Sequence, residues 1–282
     1  MTITNITVIG TGTMGSGIAR AAATSGFAVR LVDRSEAKAA AGLEGIKAGL
    51  EKQVAKGKLV DAEKDAILAR IGTCCSLQEC GETDLVIEAV AEKEEIKKEI
   101  FQALDAVCPE HTIFASNTSS ISITRLAGAT ARPDRFIGMH FMNPAHVMKL
   151  VEVITGLLTT AETVAAVRAV AQRMDKIAVV VTDSPGFVAN RVLMPMINDA
   201  IACLQERVAS REDIDAIMKL GAHHPMGPLE LADFIGLDIC LEILKVLHAE
   251  LGEKYRPGTL LRNMVAAGKL GRKSGTGFYG YD

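Results

Sequence analysis

The chain has 282 residues, with 31 Lys and Arg against 34 Asp and Glu and a net charge of −3. That length exceeds most single cores and points to two domains, and the slightly acidic balance, with no basic run or interleaved aromatics, argues against a nucleic-acid partner. Hydrophobic residues make up 49%, ample for burial, yet no apolar run is long enough to cross a bilayer, so no membrane role is expected.

Taken in order, the first apolar run is Ile6-Thr7-Val8-Ile9, which reads as a buried strand. Gly10-Thr11-Gly12-Thr13-Met14-Gly15 follows, then small helix-compatible residues from Ser16 to Ala23, then a second strand from Phe27 to Val32 ending on Asp33. Strand, glycine turn, helix, strand and carboxylate is the context a dinucleotide fingerprint requires. Gly10 allows the tight turn, Gly12 lets the backbone approach a pyrophosphate, and Gly15 lets helix and strand pack closely. Thr13 and Met14 open the helix whose unpaired N–H groups would receive the phosphates. The alternative is a merely structural glycine turn. Asp33 can accept hydrogen bonds from an adenosine ribose and repel a 2′-phosphate, which favours NAD over NADP. Arg34 beside it weakens that exclusion.

Residues from about Glu36 to Arg70 lack strand patterning and read as a helical pair broken near Lys56-Gly57-Lys58, longer than an ordinary crossover needs. Asp84 to Val90 is a further strand, and the acidic stretch from Glu92 to Glu99 opens a helix reaching about Val107. Strands follow at Thr112–Ala115, Phe136–Met139 and Leu150–Ile154, then a helix through Val164, Val167, Ala171 and Met174, then a last strand at Ile177–Val181. Asp183-Ser184-Pro185-Gly186 punctuates the chain. Beyond it, helices are expected from Phe187 to about Arg207, with a kink at Pro195, and across Arg211–Lys219 and Leu237–Glu250. The expected fold is α/β: a Rossmann-like, doubly wound, mostly parallel sheet over residues 1–184, with a helical hairpin insertion at about 36–70. A smaller all-helical domain follows at 185–282. Six scattered cysteines form no C-x-x-C pair, so neither a metal site nor a disulfide framework is expected. The first residues run straight into a strand, leaving no room for a signal peptide. A soluble protein of the cytoplasm is the expectation.

Alcohol oxidation at a nicotinamide needs a base for the hydroxyl proton, and histidine is the usual choice. His140 ends a predicted strand, where open α/β sheets place their ligand crevices, although a histidine there can equally be structural. Glu152 lies in the otherwise apolar strand Leu150-Val151-Glu152-Val153-Ile154, and a carboxylate there is costly unless paired. Phe141-Met142-Asn143-Pro144 can turn the chain so that the two strands lie side by side. Glu152 would then fix the imidazole tautomer and stabilise its cation. The competing reading is a solvated edge-strand glutamate. Ser116-Asn117-Thr118-Ser119-Ser120 opens at the same end of the sheet, but such residues also cap helices, and Ser120 or Ser122 could cap the next one. Asn190 begins the first helix after the boundary and would face the cleft.

Together these segments resemble the L-3-hydroxyacyl-CoA dehydrogenase family, in its short 3-hydroxybutyryl-CoA dehydrogenase branch. The resemblance rests on residues 8–15, 116–120, Gly138 to Pro144 and Leu150 to Val153. Downstream it continues through Asp183 to Arg191, Met226-Gly227-Pro228-Leu229 and Gly277-Phe278-Tyr279. Met142 stands where the family has a second aromatic, and Ala189 where it has a branched residue. The resemblance implies NAD-dependent oxidation of an (S)-3-hydroxyacyl-CoA in fatty acid or short-chain acyl-CoA metabolism, with His140 as base and Glu152 as its orienting partner. It implies that Ser119 hydrogen-bonds the reacting oxygen and Asn190 positions substrate. Glu92, Lys97, Ser119, Asn143 and Lys273 match positions lining the family's cofactor site. The helical pair is where the family contacts coenzyme A, which makes Lys52 and Lys56 candidates for its phosphates. A homodimer through the helical domain is expected in keeping with the family, and Leu237, Leu241, Leu244 and Leu247 offer apolar surface for it, or simply pack within the domain. A dehydrogenase for free hydroxy acids and a non-catalytic NAD-binding protein are the alternative functions.

Overall fold

The computed structural model describes residues 2–281, which divide into two compact units at the Asp183–Ser184 bond. The first unit is an α/β sheet domain. Its elements run β1 (Asn5–Ile9), α1 (Thr13–Thr24), β2 (Ala28–Val32), α2 (Glu36–Ala55), α3 (Asp61–Leu68), β3 (Ile71–Cys74) and β4 (Leu85–Glu88). They continue through α4 (Glu94–Asp105), β5 (Ile113–Ser116), α5 (Ile123–Ala127), β6 (Phe136–Phe141), β7 (Leu150–Thr155), α6 (Ala161–Arg173) and β8 (Ile177–Thr182). The strands form one sheet in the order β3-β2-β1-β4-β5-β6-β7-β8. All neighbouring pairs are parallel except β6 with β7. The order reverses between β1 and β4, the switch point at which such sheets open a ligand crevice beyond their strand ends.

The central strands are buried on both faces and read as apolar runs for that reason: β4, β5 and β6 are buried throughout. β3 is a correction to the sequence reading. Its residues Ile71-Gly72-Thr73-Cys74 bury only Ile71, so no apolar run announces the strand, and it is held at the sheet edge by parallel pairing with β2. The helical hairpin is α2 and α3. α2 buries Ala39, Gly42, Ile46 and Leu50 as a single stripe, the pattern of a helix that covers a neighbour with one face. Ser122 caps α5, accepting from Arg125 N at 3.2 Å and donating to Asp183 at 2.7 Å.

The second unit is all-helical, with α7 (Ala189–Gln205), α8 (Arg211–Gly221), α9 (Pro228–Ile235), α10 (Leu237–Leu251) and α11 (Thr259–Ala266). Pro195 lies inside α7 without ending it. α9 and α11 were not expected. α9 begins at Pro228, which the first turn of a helix tolerates, so the Met226-Gly227-Pro228-Leu229 stretch starts a helix. Leu237, Leu241, Leu244 and Leu247 lie in this unit's own core with Leu229, Ala232 and Phe278. They are interior packing, and the reading of them as a face for a second copy is overturned. Two buried aspartates tie down the C-terminal segment. Asp233 accepts from Phe278 N and Tyr279 N, each at 2.9 Å, and from the Tyr281 hydroxyl at 3.0 Å. Asp215 accepts from Leu229 N and the Tyr279 hydroxyl, each at 2.8 Å. No helix among the described residues is long and apolar enough to cross a membrane.

Candidate active site and cofactor cradle

The glycine turn between β1 and α1 shows a different reason for each glycine. Gly10 has φ +103°, and a Cβ there would stand 2.6 Å from the Ala89 carbonyl oxygen. A Cβ on Gly15 would meet the Gly10 oxygen at 1.9 Å. Around Gly12 nothing in the chain comes within 4 Å of the Cβ position. The fold needs no glycine there, and the space is what a close-lying ligand requires. Thr13 and Met14 open α1, whose N-terminus carries no side-chain cap, so its amides remain to be satisfied from outside.

Asp33 follows β2 directly. Its Oδ2 accepts from Thr11 N at 3.1 Å and Thr11 Oγ1 at 2.8 Å, and its Oδ1 from Arg34 N at 2.8 Å. Burial opposes ionisation of this carboxyl. The bonds from Thr11 and Arg34 and the nearby Lys38 charge outweigh it and hold the pKa below the usual carboxylate value. A cavity of about 470 Å³ opens here, lined by Gly10, Gly12, Asp33, Ala89 and Ile96, with Arg34 and Lys38 also on its wall. Its floor and acid suit an adenosine, while its two cations leave a route to a 2′-phosphate.

Beyond β4 and β5 the side chains form one network centred on Glu88, a residue the sequence reading did not single out. Glu88 is fully buried. It accepts from Lys97 Nζ at 2.6 Å, Ser116 Oγ at 2.6 Å and Val90 N at 2.7 Å. Lys97, itself 1% exposed, also meets Glu92 Oε2 at 3.3 Å. The other Glu92 oxygen gathers the following loop, accepting from Thr118 Oγ1 at 2.5 Å, Ser119 N at 2.8 Å, Ser119 Oγ at 3.2 Å and Ser120 N at 3.2 Å. Desolvation opposes ionisation of Glu92, but Lys97 and the bonds from Thr118 and Ser119 keep its pKa low. Lys97 is therefore an interior charge that bears on its surroundings through Glu92.

His140 and Glu152 sit directly opposite each other in the antiparallel β6–β7 pair. Neighbouring Cβ atoms in such a register lie within side-chain reach, and His140 Nδ1 meets Glu152 Oε2 at 2.8 Å. Both residues are buried, at 8% and 2% exposure. An acidic partner on Nδ1 selects the tautomer with its proton there, which makes Nε2 the basic nitrogen. Asn117 links this strand to the serine loop, its Oδ1 accepting from Phe141 N at 2.9 Å. Ser119 follows the C-terminal end of β5 and His140 is the last residue but one of the adjacent parallel β6, so both lie toward the carboxyl end of these strands, and Asn143 lies exposed in the turn after β6. Lys52 and Lys56 are exposed on the last turn of α2 and just past it. In the second unit, Asn190 is the second residue of α7 and is 9% exposed. Lys273 pairs with Asp238 at 2.6 Å.

Comparison with known proteins gives concordant results for both units. Residues 5–184 match the NAD binding domain of 3-hydroxyacyl-CoA dehydrogenase, and residues 186–281 match its C-terminal domain. A probable 3-hydroxybutyryl-CoA dehydrogenase of Bacillus subtilis is 56% identical over 100% of this chain and 99% of its own. The human mitochondrial hydroxyacyl-coenzyme A dehydrogenase is 44% identical over 99% of this chain and 91% of its own length. The crystal structure of (S)-3-hydroxybutyryl-CoA dehydrogenase from Ralstonia eutropha superposes with a TM-score of 0.97 at 50% identity, covering 100% of both chains.

Proposed function

We propose, since the chain belongs to the 3-hydroxyacyl-CoA dehydrogenase family, that it catalyses the reversible NAD-dependent oxidation of an (S)-3-hydroxyacyl-CoA, with 3-hydroxybutyryl-CoA as the favoured substrate, to the 3-oxoacyl-CoA. The observation that carries this is the buried His140–Glu152 pair, closed at 2.8 Å, in a unit that also holds the glycine cradle. Gly10, Gly12, Thr13, Met14, Gly15 and Asp33 would hold the dinucleotide, with Glu92, Ser119, Asn143 and Lys273 toward its reacting end and Lys97 acting there through Glu92. A bound nicotinamide cofactor would supply the hydride chemistry at the substrate's C3, as NAD⁺ for oxidation and NADH for reduction. His140 takes the 3-hydroxyl proton on Nε2 during oxidation and gives it back during reduction. Glu152 holds the proton on Nδ1 and stabilises the imidazolium in between. Ser119 donates to the substrate oxygen, where negative charge develops, and Asn190 orients the substrate. The exposed Lys52 and Lys56 meet the phosphates of coenzyme A.

The test is NADH consumption with acetoacetyl-CoA and with free acetoacetate in parallel. Turnover of the thioester with little of the free acid is expected, and the reverse preference would make the chain a hydroxy-acid dehydrogenase instead. A homodimer through the helical unit belongs to the same reading. It is supported by exposed Val192, Ile217, Leu220 and Phe234, apolar groups that a second copy could cover. Sedimentation at a single monomer mass would refute it. The six unpaired cysteines suit a reducing cytoplasm.

A further inference from the structure

β5 and β6 run side by side in register from Phe114 opposite Phe136 to Ser116 opposite Gly138, where their main-chain pairing stops. β6 continues through Met139, His140 and Phe141, which stay paired with β7 on the other side. Beyond Ser116 the chain turns toward β4. Ser119 N and Ser120 N both donate to Glu92, at 2.8 and 3.2 Å, and Glu92 follows β4, on the side of β5 away from β6. The end of β6 that carries His140 thus loses its neighbouring strand where the proposed chemistry needs it held.

A side chain takes the place of that strand. Asn117 Oδ1 accepts from Phe141 N at 2.9 Å, so the peptide joining His140 to Phe141 is held from the β5 side by an amide. Phe141 is 2% exposed, which leaves water little access to its N–H, and a buried donor without an acceptor is costly. An apolar side chain of the same size would fill the space and leave that donor unpaired. The support beneath the amide is firm. Asn117 N donates to the Glu88 carbonyl at 2.8 Å. Ser116, just before it, donates to the Glu88 carboxylate at 2.6 Å, and Thr118, just after it, donates to Glu92 at 2.5 Å. Asn117 is therefore tied to the β4 side on both flanks and reaches across to β6. Ser119 and His140, the groups proposed to meet the reacting oxygen, are connected through Thr118, the Asn117–Phe141 bond and nothing longer.

We propose that Asn117 is a positioning residue for the reaction: its Oδ1, bonded to Phe141 N, sets the place of His140 relative to Ser119. This rests on the function proposed above. The role needs no contact with substrate or cofactor, because it is exerted through the main chain of β6. A misplacement of about 1 Å between reacting groups can cost about a hundredfold in rate, and supporting hydrogen bonds are what hold such groups to smaller errors.

The test compares Asn117→Ala and Asn117→Asp with the parent in the full-length protein. Asp keeps an oxygen for Phe141 N, and Ala does not. Hydrogen exchange at the Phe141 amide, read in the free protein, should quicken by about tenfold or more in Asn117→Ala and stay near the parent rate in Asn117→Asp. In steady-state reduction of acetoacetyl-CoA, Asn117→Ala should lose about 10–100-fold in kcat. Its KM for acetoacetyl-CoA and its NADH dissociation constant, measured by fluorescence, should stay within about threefold, since the bond lost is not a binding contact. Asn117→Asp should recover most of the lost kcat. A residue that only stabilises the fold would lower the melting temperature and leave kcat unchanged well below the transition. That result overturns the proposal, as does unchanged Phe141 exchange in Asn117→Ala, or an Asn117→Asp that keeps Phe141 protected yet turns over no faster than Asn117→Ala. A parent that fails to reduce acetoacetyl-CoA overturns the function and the positioning role together, whereas an active parent with an equally active Asn117→Ala overturns the positioning role alone.

Discussion

Glu88→Ala tests whether one buried carboxylate holds the network beneath the serine loop. The native side chain accepts three hydrogen bonds of 2.6, 2.6 and 2.7 Å at zero exposure. Its removal leaves the Lys97 ammonium, 1% exposed, with Glu92 at 3.3 Å as its remaining acid. Breaking a buried ion pair on one side costs about 3–5 kcal/mol. The stranded Ser116 hydroxyl and Val90 amide would add about 1–3 kcal/mol each if left dry, but water entering the vacated space offsets much of this. A net loss of about 3–5 kcal/mol is expected. Glu88→Gln keeps the volume and an acceptor and should lose less, about 1–3 kcal/mol. Because the chain has two compact units, a global unfolding curve would mix their transitions. Native-state hydrogen exchange at the amides of β4 and β5 reports this unit alone. NADH binding should weaken in parallel, as Glu92 and residues 118–120 lose their support. A loss below about 1 kcal/mol in Glu88→Ala, with NADH affinity intact, would refute the idea that Glu88 anchors the network.

The glycines separate folding from binding. Gly15→Ala, whose Cβ would meet a carbonyl oxygen at 1.9 Å, should lower the melting temperature, whereas Gly12→Ala should melt normally and lose NADH affinity in a fluorescence titration. Equal melting losses in both would contradict the assignment of Gly12 to the ligand. Asp33→Asn removes the charge facing a 2′-phosphate while Arg34 and Lys38 stay on the cavity wall. The ratio of NADPH to NADH efficiency should rise about tenfold or more, and an unchanged ratio would show that Asp33 does not discriminate. Acid stability follows from Asp33, Asp84 and Glu92, whose pKa values are lowered despite burial by the bonds and charges around them. Carboxyls that are harder to protonate folded than unfolded stabilise the fold above the unfolded value near 4, and lose that contribution as pH falls through the lower folded values. The melting temperature should therefore fall below about pH 4, less steeply in Asp84→Asn, and an identical slope in that variant would exclude Asp84 as a contributor.

The glycine turn and the His140–Glu152 pair were legible because each breaks a local rule visibly. Three glycines interrupt a strand-to-helix junction, and one acid interrupts an apolar strand. The same signal marks Glu88 in Leu85-Val86-Ile87-Glu88-Ala89-Val90. Applied there, the cost of an unpaired carboxylate would have identified the centre of the Lys97–Glu92–Ser119 network. β3 was illegible because an edge strand that buries only Ile71 is specified by pairing with β2, a tertiary effect absent from local pattern. The choice between a dimer face and interior packing for the apolar faces of α10 stayed open in the sequence for a related reason. α9 and the Phe278 segment, which supply the surfaces that cover Leu237, Leu241, Leu244 and Leu247, were missing from the count of packing partners.

His140 is the group proposed to move the substrate proton, and His140→Gln tests this most directly. Steady-state turnover of acetoacetyl-CoA with NADH is compared with the parent enzyme, and NADH affinity is measured alongside by fluorescence. Loss of a general acid–base residue should lower turnover by about 10²–10⁴-fold while NADH still binds as in the parent. Near-native turnover by a variant that binds NADH normally would remove His140 from the proton transfer.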